Sequence, residues 1–548
     1  MSYNKEKLAA RIKEILYEYV AIQTDTGTAS EGNITAFYEK WFAENEYLRE
    51  RPGMRGIYGI PGDPHGRSCC WALLKGESSK TIVMLHHTDT VDTEDYLGLR
   101  DVALKPDELE AAFRRGEMKL DSQALEDLES GEWLFGRGVN DMKGGAAIHI
   151  ALFEEYIIDP DFKGSLLLLA VPDEENLSAG MIGAAPLLNR LKESHGLDFV
   201  LCLCSEPSGT QVVIDGSIGK IMPMIYARGK LAHAAGVFGG LNPIRMMADV
   251  VNKLDLNPVF ADKERNTTTA APTFLYMKDR KNIYDVSLPM GACGYMTMNC
   301  MNKDPFELMT IVKGLCLEAF TETIGKIQQN FDAHMAFSGN ESRKLPWQPR
   351  VSFYSEIYEE ALRDSGADFE KALVKKKEEL KKAVESGAKT LVQCSQELIE
   401  LTLQYAKDLS PVIVVALAPP FYPNISNRLF GEGAAKVNEV ISALSDFAKK
   451  NYGHEVKTRY MTGMCDLSYV MDVTHPDTVS YIEGNMLMWN NGYHIPFGEI
   501  KKFSMPVLNI GPEGRGGHMY TERVGKKSLY YDAPAFTDFV IRQLIDLS

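Results

Sequence analysis

Thr81-Ile-Val-Met-Leu-His-His-Thr-Asp-Thr-Val-Asp92 is the stretch that decides the fold. Five β-favouring residues run out of a core and end on an imidazole and a carboxylate two positions apart, His87 and Asp89. Neighbours so spaced on an extended segment point the same way. His87 can then bind a divalent metal while Asp89 holds the ring's other nitrogen and fixes its tautomer. Two further apolar runs, 165–171 and 199–204, also end in acids: Asp173 to Glu175 after the first and Glu206 after the second. Helical stretches near 144–156 and 180–193 separate these runs. That alternation predicts a largely parallel sheet covered on both faces. In such sheets ligands sit beyond the carboxyl ends of the strands.

The remaining composition sets limits. With 548 residues the chain exceeds one ordinary core, so two domains are expected, one interrupting the other. The formal net charge of −16 argues against a nucleic-acid partner. No apolar run approaches the roughly 20 residues a membrane helix needs, and the first residues lack the apolar stretch of a signal peptide. Nine scattered cysteines form no paired CxxC set, which predicts reduced thiols and a cytoplasmic location.

Two more segments complete a constellation. In Phe135-Gly-Arg-Gly-Val-Asn-Asp-Met-Lys-Gly-Gly-Ala146, glycines on both sides of Asp141 let the backbone turn tightly before a helix. A carboxylate at such a turn can bridge two dications roughly 3.5–4 Å apart. The Gly-x-Gly pair lacks the third glycine of a dinucleotide loop. Far downstream, Asn509-Ile-Gly-Pro-Glu-Gly-Arg-Gly-Gly-His-Met-Tyr-Thr-Glu522 places His518 in a glycine-rich loop, with Glu522 four residues on. Adjacent acids such as Glu174 and Glu175 can divide labour, one holding metal and the other moving a proton. Two imidazoles and several carboxylates suit zinc, with cobalt or manganese also compatible.

In this order the motifs His-x-Asp, Gly-Arg-Gly-x-x-Asp-Met-Lys-Gly-Gly, Asp-Glu-Glu, Glu-Pro-Ser, Gly-x-x-Ala-His-Ala and Gly-His-x-x-x-Glu resemble the co-catalytic dizinc hydrolases. That superfamily includes aminoacylases, tripeptide peptidases, succinyl-diaminopimelate desuccinylase and glutamate carboxypeptidase. The stretch Leu-His-His-Thr-Asp-Thr-Val and an enlarged lid are most similar to bacterial arginine-utilisation proteins of the RocB type. The resemblance implies two divalent metal ions. His87 and Glu206 would bind one, shared with the bridging Asp141; Glu175 and His518 would bind the other. Asp89 would orient His87, and Glu174 would serve as general base and then general acid. A cis Asp141-Met142 bond is implied, and Glu522 would orient His518. His233, in Ala227-Arg-Gly-Lys-Leu-Ala-His-Ala-Ala235, would reach a partner subunit's site and stabilise the oxyanion, which implies a homodimer through the lid. Asp466 matches the family's Gly-x-x-Asp, with a structural role equally open.

From Ile218 the rhythm changes to a β-α-β-β-α-β pattern, the signature of an inserted α+β lid, with a last strand at 411–417 closed by Pro419-Pro420. Residues 340–405 read as extra, solvated helix. The expected organisation is therefore a zinc-peptidase-like α/β domain built from 1–215 and 422–548, with the lid at 216–421. Two departures from the family pattern stand out. His86 replaces the usual glycine before the metal histidine, and the lid stretch Met296 to Asn302 lacks the arginine that grips a substrate carboxylate. Arg515 is the substitute candidate for substrate binding. The expected activity is metal-dependent hydrolysis of a peptide or N-acyl amino acid, in amino-acid (arginine) utilisation. A metal-holding binding or regulatory protein on the same scaffold is the alternative.

Overall fold

The computed structural model describes residues 3–281 and 283–546 and divides into two compact units. The first comprises residues 1–217, 425–473 and 496–548 of the chain. Its centre is a nine-stranded mixed sheet. Four neighbouring strands run parallel in its middle, in the order Ser165–Val171, Lys80–His87, Asp198–Cys204 and Val507–Asn509. The two antiparallel strands Arg55–Gly59 and Ser68–Leu74 extend one side. Ser165–Val171 is buried along its whole length, as a strand covered on both faces requires.

One face of this sheet, through Cys70, Ile82, Met84, Leu166, Leu168, Leu201 and Leu203, shares a core with the helices Lys5–Val20, Lys143–Ile157 and Ala533–Asp546. The first turn of Lys143–Ile157 is glycine-rich for a steric reason. A Cβ on Gly145 would lie 2.1 Å from the Ser205 carbonyl oxygen, so only glycine lets this helix approach the strand end that carries Glu206. The helix Ala179–His195 packs on the strands 68–74 and 165–171.

The sequence reading did not anticipate the helical segment between Glu94 and Ser130. It has its own apolar cluster, with Tyr96, Leu109, Phe113, Ala124 and Leu128 closing on Phe135. Local signals start and stop its helices. Pro106 opens one, with Asp107 and Glu108 in the first turn. Asp121 caps the next by accepting the Ala124 N–H, and Gly131 ends it in the left-handed region.

The second unit comprises residues 218–424 and 474–495. Its five-stranded sheet has the order Thr273–Asp279, Gly291–Cys300, Gly219–Arg228, Val412–Tyr422 and Val351–Phe353. The helices Pro243–Leu254 and Pro305–Phe337 pack on each other, and the stretch read as extra helix forms Tyr354–Glu385 and Leu391–Tyr405.

Two expectations are corrected here. The strand expected to close at Pro419-Pro420 runs on to Tyr422, which pairs with Lys220 after a register shift that follows Ala418. Residues 474–495 group with the second unit rather than with the returning first. The Tyr493 hydroxyl accepts from the Phe421 N–H (2.9 Å) and donates to the Phe421 carbonyl (2.8 Å), while Asn491 donates to the Lys377 carbonyl (2.9 Å).

Candidate metal centre

Every proposed ligand lies in the first unit, and each is delivered by a strand end or by the small sheet beside it. His87 is the last residue of its strand. Its Nδ1 lies 3.0 Å from the backbone oxygen of Asp89, so Nδ1–H donates there and Nε2 faces the site. The Asp89 carboxylate is 3.6 Å from the same nitrogen. That carboxylate has a second task. Its two oxygens accept the backbone N–H groups of Glu174 and Glu175, each at 3.1 Å. Asp89 thus ties the first strand end to the acidic loop of the second.

The acidic loop is held from its other side as well. Asp173 sits at φ 70°, a conformation that costs a non-glycine residue energy and needs support. Its carboxylate accepts from the buried Arg67, from Asn176 (3.2 Å) and from the Ala179 N–H (3.0 Å). Arg67 also engages Asp63 and Glu31. Glu206 follows the third strand end. Asn509 clasps its backbone, accepting the Glu206 N–H at 2.6 Å and donating to the Glu206 carbonyl at 2.9 Å. A Cβ on Gly511 would lie 2.0 Å from that carbonyl oxygen, so the turn after Asn509 closes only over glycine.

Asp141 and His518 arrive together. The strands Trp133–Phe135, Gly514–Arg515 and Arg523–Gly525 form one three-stranded sheet. Asp141 follows the first of these strands, and His518 lies on the connection between the other two, at φ 65°. Glu522 joins the two loops. Its Oε1 accepts the N–H groups of Asn140 and Asp141, each at 3.2 Å, and its Oε2 accepts from the buried Arg137 at 2.7 Å. Glu522 therefore braces Asp141, which corrects the expectation that it orients His518. The Asp141-Met142 bond is cis, as the resemblance implies, and Met142 Sδ accepts the His87 N–H at 3.3 Å.

The side chains converge. His87 Nε2 lies 3.1 Å from Asp141 Oδ1, 3.5 Å from Glu206 Oε1 and 3.9 Å from Glu174 Oε2. His518 Nε2 lies 2.9 Å from Glu175 Oε1 and 3.4 Å from Asp141 Oδ2. Asp141 thus turns one oxygen to each imidazole. Two groups of three form around it, His87–Asp141–Glu206 and Asp141–Glu175–His518, each with ligand atoms within 4.8 Å of one another.

The chemistry of this donor set fits divalent cations. Among the described residues, no lysine or arginine forms an ion pair with Asp141, Glu174, Glu175 or Glu206. Burial, reinforced by the neighbouring acids, pushes Glu174 and Glu206 well above the usual carboxylate range, and burial also raises Glu175. Burial opposes ionisation of Asp141 too, yet hydrogen bonds from His518 and His87 hold it well below that range. Hydrogen bonds to Asp141 and Glu175 raise His518 to about 10. Buried acids with only imidazoles for company need positive charge, and oxygen and nitrogen donors at these spacings are what zinc-type ions accept.

Arg515, expected to contact substrate, is already committed. Its guanidinium spans both oxygens of Asp127 at 3.0 Å, reaches Glu513 at 3.3 Å and lies over the Trp133 ring. Asp127 also accepts from the buried Arg523 at 2.6 Å. Asp127 comes from the unanticipated helical segment, so that segment clamps both strands flanking His518. Asp127→Ala should loosen the connection and weaken metal binding or turnover by about 10–100-fold, the usual cost of losing a supporting residue. A metal titration matching the unaltered protein would show the clamp to be dispensable.

His233 lies in the second unit, exposed, with Nδ1 accepting the Ala235 N–H at 3.1 Å. Asp466 is buried in the first unit. His86 has its Nε2 on the Tyr38 hydroxyl at 2.8 Å, away from the ligands, which agrees with simple packing. The sequence reading missed Arg67, Arg137, Asp127 and Asn509. Two of these had a signal, Arg137 as the arginine of the Gly-Arg-Gly motif and Asn509 as a polar residue closing the apolar run before Gly511.

Known proteins supply an independent comparison. The chain is 28% identical over 540 residues to protein RocB of Bacillus subtilis (strain 168), covering 96% of this chain and 93% of that one. It is 29% identical over 549 residues to the uncharacterised protein YqjN of the same organism, covering 97% and 96%. Among solved structures, a tripeptidase from Staphylococcus aureus is similar at a TM-score of 0.51 and 14% identity, covering 98% of this chain and 99% of that one. The model of peptidase family M20/M25/M40 matches residues 86–496, beginning at the His86-His87 strand end. With that match spanning most of its length, the chain belongs to peptidase family M20/M25/M40.

Proposed function

We propose that this amide hydrolase cleaves an N-acyl amino acid or a short peptide, using two divalent cations, zinc foremost, in amino-acid and specifically arginine utilisation. The observation that carries the reading is Asp141 shared between two three-residue groups, with Glu174 beside them. His87 and Glu206 would hold one cation, Glu175 and His518 the other, and Asp141 both. A pair of cations so held polarises the scissile carbonyl and makes water nucleophilic at neutral pH.

The chain's own groups do the rest. Glu174 is 8% exposed, and its backbone is pinned by Asp89, so its carboxylate has little freedom to stray. It takes the proton as the water oxygen bonds to the carbonyl carbon. It returns that proton to the leaving nitrogen as the C–N bond breaks. The arginine assignment rests on the resemblance to arginine-utilisation proteins, and the nine free, buried cysteines support a cytoplasmic setting.

The homodimer is part of the same proposal. Leu275, Tyr276 and Met277 are exposed on the edge strand Thr273–Asp279 of the second unit, an unpaired apolar edge of the kind proteins cover. His233 would serve the partner's oxyanion. With Nδ1 accepting, its neutral ring carries the proton on Nε2 and can donate. A monomer by analytical ultracentrifugation, in protein that turns over substrate, would remove both the dimer and that role.

The activity is tested with the metal-loaded and chelated protein against dipeptides and N-acyl amino acids, arginine derivatives included. Turnover of at least one class, lost on chelation and restored by zinc, cobalt or manganese, is expected. Equal rates with and without metal would overturn the reading.

A further inference from the structure

Residues 22–31 supply none of the ligands assigned above, yet they bond to three of the segments that carry them. The buried Lys143, two positions after Asp141, donates its Nζ to the Ile22 carbonyl at 2.7 Å. The Thr24 hydroxyl donates to the carbonyl of Thr88, which lies between His87 and Asp89, at 2.8 Å. Backbone pairing with Thr90 follows. The Thr90 N–H donates to the Thr24 carbonyl (3.0 Å), and the Thr26 N–H to the Thr90 carbonyl (2.9 Å). Glu31 closes the run. Its Oε1 accepts from the buried Arg67 at 2.8 Å, and Arg67 in turn donates to Asp173, the residue before Glu174 and Glu175.

The segment is braced well enough to transmit position. Gly27 turns it back at φ 69°, a conformation that glycine adopts without steric cost. The Gly27 N–H donates to the same Glu31 oxygen at 2.8 Å. The Asp25 N–H donates to Ser30 Oγ (3.0 Å), and the Thr28 hydroxyl donates to the Asp25 carbonyl (2.7 Å). Glu31, 1% exposed, thus joins this closed turn to Arg67 through one oxygen.

We propose that residues 22–31 are a positioning strap for the metal centre, and that Glu31 is the positioning residue through which the strap sets the acidic loop. The strap acts through other residues, fixing where His87, Asp141 and Glu175 stand relative to one another. A shared Asp141 makes that spacing matter, because ligands from separate segments must meet the same pair of cations. Groups behind the ligands commonly control affinity in this way. Burial, with Asp89 nearby, raises Glu31 to about 8, so near neutral pH it accepts as an uncharged group. Its Oε2 makes no hydrogen bond. Glu31→Gln should therefore keep both bonds to Oε1, whereas Glu31→Ala removes both.

The role rests on the cation binding proposed for this site, so the test reads cobalt(II) taken up by the full-length protein. Its visible absorption follows ligand geometry and needs no substrate. Glu31→Ala should alter the spectrum and weaken cobalt binding by about 10–100-fold, and Glu31→Gln should restore both. Because Glu31→Ala empties a buried place, Thr24→Val is the second variant. It keeps the volume, removes only the hydroxyl bond to Thr88, and should also alter the spectrum. Unaltered protein that takes up no cobalt would remove the metal-centre reading itself, and the strap with it. Given cobalt uptake by the unaltered protein, three results would each overturn the strap alone: parent-like binding by folded Glu31→Ala, impaired binding by Glu31→Gln, or a parent-like spectrum from Thr24→Val.

Discussion

Glu174→Gln is expected to lower kcat by on the order of 10²–10⁴-fold, the range over which a general acid–base group contributes, while bound metal stays unchanged. The substitution keeps size and hydrogen-bonding reach but removes the proton acceptor. The side chain is buried 3.9 Å from His87 Nε2, and its backbone N–H is fixed by Asp89 at 3.1 Å, so the glutamine should occupy the same place. His87, Asp141 and Glu206 lose no contact among themselves. Metal analysis alongside steady-state kinetics separates the outcomes. Retained turnover would remove Glu174 from the chemistry, and lost metal would make it a ligand instead.

Asp141→Ala should have the opposite signature, losing metal and activity together. Its two oxygens face different imidazoles, at 3.1 and 3.4 Å, so one substitution strikes both groups of ligands. The affinity loss should exceed the roughly 10–100-fold that follows removal of a merely supporting residue. The variant also removes a like charge from beside buried Glu206 and Glu175, so their need for a compensating cation falls as well. Cations that bind only the folded chain stabilise it by mass action. The melting temperature of the unaltered protein should therefore fall on chelation, and that of Asp141→Ala should respond little. A variant that still binds metal as tightly as the parent would contradict the bridging role.

The sequence made the strand ends legible because chemistry and geometry coincide there. Apolar runs that stop abruptly on His87, Asp173 and Glu206 mark both a core and its rim, and the structure sets these strands side by side. The inserted second unit was visible as a change of rhythm near Ile218. Other features depend on tertiary partners. Asp127 and Arg515 are 388 positions apart, and no local pattern announces their pairing. Arg515 looked like a substrate contact because it stands in the motif loop, but a carboxylate from the 94–130 helices takes it. Glu522 looked like a partner for His518 because it is near in sequence, whereas the backbone it serves, at Asn140 and Asp141, is nearer in space. Residues 474–495 follow Phe421 into the second unit through a hydroxyl–backbone exchange that sequence spacing does not encode.

The strand Val507–Asn509 lies between Asp198–Cys204 and Val212–Ser217 in the central sheet. During synthesis, some three hundred residues of intervening chain must leave the ribosome before that slot can be filled. Until then the nascent sheet presents an open hydrogen-bonding edge, an invitation to foreign strands. The same late segment brings Asn509 to Glu206 and then His518 to Asp141. Closing the edge and completing the cation cradle are therefore one folding event, and a chain released early would be both sticky and inert.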